Sequence, residues 1–335
     1  MKKHTLALMK KAFVALALSS VSCVDRLETV PEFSSVDSNQ IVVDGFISDQ
    51  PGPYFVRIFK PSSIVDVLEF REDVNAKQVT IFDDQGNEEV LDGERGFYFS
   101  SPNGIRGVVG RKYNLRIELF DGRVFTSVPD ELQPPGTIDS IMVKFETNKP
   151  LSGPTEYSYR VSINSTTPAN SFFRWKYTGV FFIQTLQGGC WSRIFEERPN
   201  VSDGEFVQDG QFKSVEVGIV PVNETTFFKK FMIQIDQMSL NQASFTFWKT
   251  ARDQFDARQS LFQPGIGALP SNIFEEVTKE PAMGLFYATA ITTKQIFLTK
   301  NDVPVLIPPF TAQIEAPCVN VFRNATEIKP PGWVD

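Results

Sequence analysis

A mainly β fold in two successive units is predicted by three features of the sequence: short runs of alternating apolar and polar residues, turn chemistry between them, and a proline cluster that divides the chain. The clearest alternation sets Tyr113, Leu115, Ile117 and Leu119 against Asn114, Arg116 and Glu118, a period of two that buries one face of a strand. Turns are marked by Pro51-Gly52-Pro53, by Asp83-Asp84-Gln85-Gly86-Asn87 and by Asp121-Gly122. The divider is Pro129, Pro134 and Pro135-Gly136.

The first unit is expected over residues 40–133. Ile41-Val42-Val43 opens it, Tyr54 to Phe59 and Val79 to Phe82 continue it, and Arg123 to Val128 returns after the alternating strand. About seven short strands in roughly ninety residues point to an immunoglobulin-like sandwich. Asp83, Asp84 and Glu88 carry oxygen ligands suited to Ca²⁺, but a tight turn requires the same residue types, so both readings stand.

The second unit, 134–335, is expected to be a larger β-rich domain with one helix. Its strands are placed at Ile138 to Phe145, Tyr157 to Ile163, Phe172 to Gln184, Val215 to Val220, Phe231 to Asp236, Gly284 to Ala290 and Gln295 to Leu298. The helix is expected near 240–260. Ser239 and Gln242 have capping-box spacing, and Leu240, Phe247, Trp248, Ala251 and Phe255 fall near one face, a stripe that serves either as core or as a docking surface. The chain has 31 Phe, and the pairs Phe172-Phe173, Phe181-Phe182 and Phe227-Phe228 place rings on opposite faces of a strand. Either both faces are covered, or one ring of each pair contacts another protein.

Residues 1–22 read as a bacterial signal peptide. Lys2, Lys3, Lys10 and Lys11 form a basic start, Ala12 to Leu18 is an apolar run too short to span a bilayer, and small residues lead to Cys23. Ser20-Val21-Ser22-Cys23 resembles the lipobox of bacterial lipoproteins, with Ser20 where Leu is commoner. Cys23 is therefore the expected lipidation site, and 23–39 the lipidated Cys and its tether; the alternative is ordinary cleavage nearby with Cys23 left as a spare thiol. With Cys23 consumed, Cys190 and Cys318 remain as an even pair in an oxidising compartment, and a Cys190–Cys318 disulfide is expected; two buried, reduced thiols are the alternative.

Loss of the signal removes four lysines and takes the net charge from −7 to −11, which argues against nucleic-acid binding. It also removes His4, the only histidine, and with it Ser-His-Asp, Cys-His and His-zinc chemistry. Carboxylate-pair glycoside hydrolysis, Ser-Lys nucleophiles and oxygen-ligated Ca²⁺ survive this filter. No catalytic residue, cofactor or resident metal is assigned from the sequence.

Val42-Val43-Asp44-Gly45-Phe46-Ile47-Ser48-Asp49 followed by Pro51-Gly52-Pro53-Tyr54-Phe55-Val56 resembles the opening of the domain-of-unknown-function 4249 family of bacterial lipoproteins. Gly107 to Leu115, Asp121 to Ser127, Ser271-Asn272-Ile273, Met283 to Ala288 and the closing Lys329-Pro330-Pro331-Gly332-Trp333 are similar to later segments of that family. Members often carry Cys-x-x-Cys near the C-terminus, whereas Val321 stands three residues after Cys318 here, leaving one candidate partner for Cys190. The resemblance implies an outer-membrane lipoprotein with a carboxypeptidase-regulatory-like N-terminal sandwich, commonly encoded beside a TonB-dependent transporter, and it brings no established enzyme activity and no catalytic residue to carry over. The expected function is thus a non-enzymatic accessory or binding partner of such a β-barrel. A cell-surface structural or adhesive lipoprotein is the alternative, and a carboxylate-dependent glycan hydrolase is a third reading. The separated acids Asp25 and Glu28 bear on orientation, with the cell surface as the expected side and the periplasmic face as the alternative.

Overall fold

The computed structural model describes residues 40–61, 72–203, 208–257, 269–311 and 313–334. The signal peptide, Cys23 and the whole tether lie outside the described residues. The protein is mainly β, as expected, and is built from two sandwiches with one long helix between them.

In the first sandwich, β1 (Val42–Ser48), β2 (Phe55–Phe59), β5 (Asp92–Glu94) and β6 (Phe97–Phe99) are joined by β18 (Met283–Thr289) in the order β18-β1-β2-β6-β5. The facing sheet contains β3 (Ala76–Asp83), β4 (Glu88–Val90), β7 (Lys112–Leu119), β8 (Val124–Ser127), β9 (Asp130–Glu131) and β17 (Ile273–Glu275). Alternation on β7 works as read: Tyr113, Leu115, Ile117 and Leu119 are buried against Val43, Ile47, Val56 and Ile58 of the other sheet.

One part of the division at 133/134 is corrected. Gly284 to Ala290, expected in the second unit, lies with β17 in the first. β18 pairs in parallel with β1 from Val42↔Met283 to Ser48↔Thr289, and β17 pairs antiparallel with β8. Ile273, Ala282, Phe286 and Ala288 complete the first core. Local periodicity finds a strand but does not say which sheet it joins, and a parallel pair can be made by strands distant in sequence. Gly284 permits the close approach: its φ is +94°, and a Cβ there would lie 2.0 Å from the Val43 carbonyl oxygen.

The second sandwich pairs a three-stranded sheet, β10 (Thr137–Asn148), β11 (Glu156–Thr166) and β15 (Gln211–Val222), with a larger one. The larger sheet comprises β12 (Phe172–Thr185), β13 (Gly188–Phe195), β14 (Asn200–Asp203), β16 (Lys230–Leu240), β19 (Ile291–Thr299) and β20 (Ala325–Thr326). Phe173, Trp175, Tyr177, Phe181 and Ile183 on β12 meet Phe231, Ile233 and Ile235 on β16 within its core.

The phenylalanine pairs of β12 are covered on both faces. Phe173 is buried, while Phe172 stacks on Phe245 of helix α1 (Gln242–Ala257) at 4.6 Å. Phe181 packs in the core, while Phe182 meets Trp191 at 5.3 Å. The third pair is corrected: Phe227 and Phe228 lie in the turn between β15 and β16 and not on a strand, with Phe227 buried and Phe228 half-buried 5.9 Å from Phe310. Of the expected stripe, Phe247 is buried and Trp248 half-buried in the cluster with Leu285 and Tyr287, Leu240 closes β16 and is not helical, and Ala251 and Phe255 are only half-buried. Phe245, outside the stripe, is the other buried ring. The helix cap differs from the expectation: Asn241 Oδ1 accepts from Ser244 N at 2.8 Å, whereas the Ser239 hydroxyl on β16 donates to Gln133 O and accepts from Ala290 N. The capping-box spacing from Ser239 arises two residues inside the preceding strand.

Candidate functional site

The sequence-derived sites fall in different places. Cys190 and Cys318 are bridged, with Cα atoms 5.8 Å apart and both residues buried. Cys190 sits on β13, which turns back from β12 through Leu186 and Gln187; it does not end the Phe-rich strand. Cys318 opens the short helix α2 (Cys318–Val321). The bridge ties a segment with little ladder pairing to the sheet, and Trp333 closes over the outer face of that sheet, 6.3 Å from Trp191 and 5.8 Å from Phe297.

The acidic turn is used internally. Asp83 accepts from Gln85 N, Asn87 N and the Asn87 side chain at 2.8–2.9 Å, and Arg111 reaches Asp83 at 2.7 Å and Asp84 at 2.5 Å. The Arg111 guanidinium holds the Asp84 carboxyl below its ordinary range. These contacts give the turn reading a complete physical account. Among the described residues, no group of three or more His, Cys, Asp or Glu could hold a metal ion.

A groove of about 820 Å³ opens at the strand ends of the second sandwich farthest from α1. Its floor comes from β11 and β15, with Tyr157, Ile219, Pro221 and Val222, and its wall from the extended segment Val305-Leu306-Ile307-Pro308. Prolines deny this segment a regular ladder, so side chains position it. The Tyr159 hydroxyl donates to Asp302 O at 2.5 Å before it, and Phe310 packs on Phe228 after it. The Asn223 turn at the rim is fixed by its own carboxamide oxygen, which accepts from Thr225 N and Thr226 N at 3.0 and 2.9 Å. Among the described residues Glu156 and Glu224 line the groove and no Lys or Arg does, so its chemistry suits neutral or cationic groups with apolar surface. A wall made by residues so far from the floor in sequence has no local signature, so the sequence does not reveal this groove.

Between the sandwiches lies a polar and aromatic junction. Asp130 on β9 is 2% exposed and accepts from the Ser244 hydroxyl at 2.7 Å, the Asn241 side chain at 2.8 Å and Ala288 N at 3.1 Å. Burial pushes its carboxyl up to about 6, against the pull of those donors. Beside it, the Arg174 guanidinium stacks 3.5 Å over Trp248, whose ring meets Tyr287 at 6.1 Å. Burial pushes the Tyr287 phenol up to about 12 and the Lys176 ammonium down. Asp49 Oδ1 accepts from Ile291 N at 2.8 Å, so β1 is also bonded to the strand entering the second sandwich. This junction can fix the relative position of the two sandwiches.

Fold and groove together define a two-sandwich β protein with an open groove at one end. The chain belongs to the family described as Domain of unknown function (DUF4249), which matches residues 27–295. The match therefore covers the first sandwich, the crossing strands β17 and β18 and the second sandwich as far as the middle of β19, and it ends before the groove wall at 305–308, Cys318 and β20. No curated protein matches the chain.

Proposed function

We propose that the protein is a non-enzymatic, lipid-anchored accessory or binding partner of an outer-membrane TonB-dependent transporter. The observation that carries the binding half of this reading is the groove of about 820 Å³, built on a disulfide-tied wall and fixed turns. Preformed concavities with few polar groups are where proteins hold ligands or partner segments. The lipobox-like Ser20-Val21-Ser22-Cys23 supports the anchor, and the family resemblance supports the transporter as partner.

Purification of the full lipidated chain in mild detergent tests the proposal. A stoichiometric β-barrel partner is the expected result. A lone protein or a homopolymer would favour the structural or adhesive role instead. Glycan hydrolysis is favoured by one observation, the two acids Glu156 and Glu224 in the same groove as Tyr157. Sugar release that Glu156→Gln or Glu224→Gln abolishes would overturn the non-enzymatic reading.

A further inference from the structure

We propose that the end of the first sandwich at which the chain enters rests on the bilayer, with the side chains of Phe120 and Val277 inserted at its surface. The inference builds on the reading of Cys23 as a lipid anchor.

Two adjacent turns at that end hold apolar residues away from the protein. In the β7–β8 turn, Leu119 N donates to Arg123 O at 2.9 Å, Gly122 N to Leu119 O at 3.2 Å, and Asp121 Oδ1 accepts from Arg123 N at 3.0 Å. This leaves Phe120 74% exposed. In the turn after β17, the buried Glu275 carboxylate accepts from Val277 N and Thr278 N at 3.2 and 2.5 Å, leaving Val277 85% exposed. The turns are tied together by Glu276, whose N–H donates to Val124 O at 2.8 Å and whose carboxylate accepts from the Thr126 hydroxyl at 2.6 Å. A single exposed apolar side chain is ordinary. Two on neighbouring, hydrogen-bonded turns, where polar residues would satisfy the same backbone geometry, suit an apolar phase beyond the protein.

The position of the tether supplies the occupant. Ile41 O accepts from Met283 N at 2.9 Å, so the chain enters the sandwich just beyond the β17–β18 turn. Asp49, at the other end of β1, bonds to Ile291, so the second sandwich attaches at the opposite strand end. The 16 residues between Cys23 and Gln40 reach at most roughly 55 Å, which keeps this end near the membrane without fixing its orientation. Ion pairs at the base of the turns, Arg123–Asp121 at 2.8 Å and Arg116–Glu276 at 3.4 Å, and the exposed Lys279 and Glu280 that follow Val277 each match a positive with a negative group, so these charges cancel. Contact is therefore apolar in character, and it directs the groove away from the bilayer.

The test uses the full lipidated chain with Phe120→Cys, Val277→Cys or Leu151→Cys. Lipid occupies Cys23 and the disulfide occupies Cys190 and Cys318, so the introduced thiol takes an environment-sensitive nitrobenzoxadiazole label. In phosphatidylethanolamine and phosphatidylglycerol vesicles, labels at 120 and 277 should shift to the blue and be quenched by nitroxide lipids. The label at 151, on the far β10–β11 turn, should do neither. Vesicle-bound protein whose labels at 120 and 277 stay aqueous, or in which 151 responds equally, overturns this inference and leaves the anchor intact. Failure of the unlabelled chain to float with vesicles overturns both.

Discussion

Asp130 of the first sandwich accepts a hydrogen bond at 2.7 Å from the hydroxyl of Ser244, in the first turn of the helix that packs on the second sandwich. The same carboxylate holds Asn241 and the backbone of β18, so one buried group joins β9, the helix cap and the crossing strand. Around Asp130 the junction is thus a desolvated polar network whose partners satisfy one another, whereas Arg174 Nε and Trp248 Nε1 beside it are buried without a hydrogen-bond partner and meet through ring stacking.

That network makes stability depend on pH. The folded Asp130 carboxyl titrates at about 6 against an ordinary 3.8, so the folded protein binds the proton more tightly than the unfolded chain. The resulting stabilisation is fully present below about pH 4 and is lost as pH rises through about 6, a difference of roughly 3 kcal/mol at about 1.4 kcal/mol per pKa unit. Asp130→Asn should flatten this part of the profile, while Asp130→Ala should destabilise at every pH by leaving three donors unpaired. Melting temperatures from pH 4 to 7.5 check this. Parallel profiles for the wild type and Asp130→Asn would exclude the role.

A second prediction follows from the parallel pairing of β1 with β18. A fragment spanning 40–133 lacks Ile273, Phe286 and Ala288 from its core and leaves β1 as an open edge. It should show no cooperative thermal transition, whereas the same fragment joined by a flexible linker to residues 269–290 should recover one. Circular dichroism melts distinguish the two, and cooperative unfolding of 40–133 alone would count against the strand exchange as a requirement for folding.

What the sequence made legible was local. The period of β7, the turns at Asp83 and Asp121 and the two phenylalanine pairs of β12 read correctly because strand alternation and turn chemistry act over a few residues, whereas Phe227-Phe228 lies in the turn between β15 and β16, where that alternation does not apply. Sheet membership of β18 was invisible because a parallel neighbour leaves no local mark. The groove was missed for a related reason: Tyr157, Ile219 and Leu306 are brought together only by the tertiary fold. Asp130 looked like any acid beside a proline cluster, and its importance comes from burial, which composition does not report. Ser239 misled because residue spacing does not say where a strand ends: it is still on β16, and its hydroxyl is taken by Gln133 O and Ala290 N.

Cys23→Ala tests the anchor directly. The substitution should abolish fatty-acid labelling and slow or block signal processing. Two or three acyl chains hold a protein stably, since each buried CH₂ contributes about 0.8 kcal/mol and one chain alone binds only marginally. Retention of label in the variant would refute the assignment.

The disulfide should stabilise the tail more than the rest of the molecule. Cys190 and Cys318 are 128 residues apart, and closing a loop of that size lowers unfolded-chain entropy by an amount worth up to roughly 5 kcal/mol, with measured values often smaller. The segment it secures forms the groove wall at 305–308 and carries Trp333 to the outer face of the larger sheet. Cys318→Ser should therefore cost about 2–5 kcal/mol. Hydrogen exchange in this variant should rise across 303–334 well before it rises in β1, β7 or β18, and ligand or partner capture by the groove should weaken with it. A non-reducing peptide map of the native protein should show the two cysteines linked. Free thiols at both positions, or uniform loosening of both sandwiches in Cys318→Ser, would sink this account of how the wall is held.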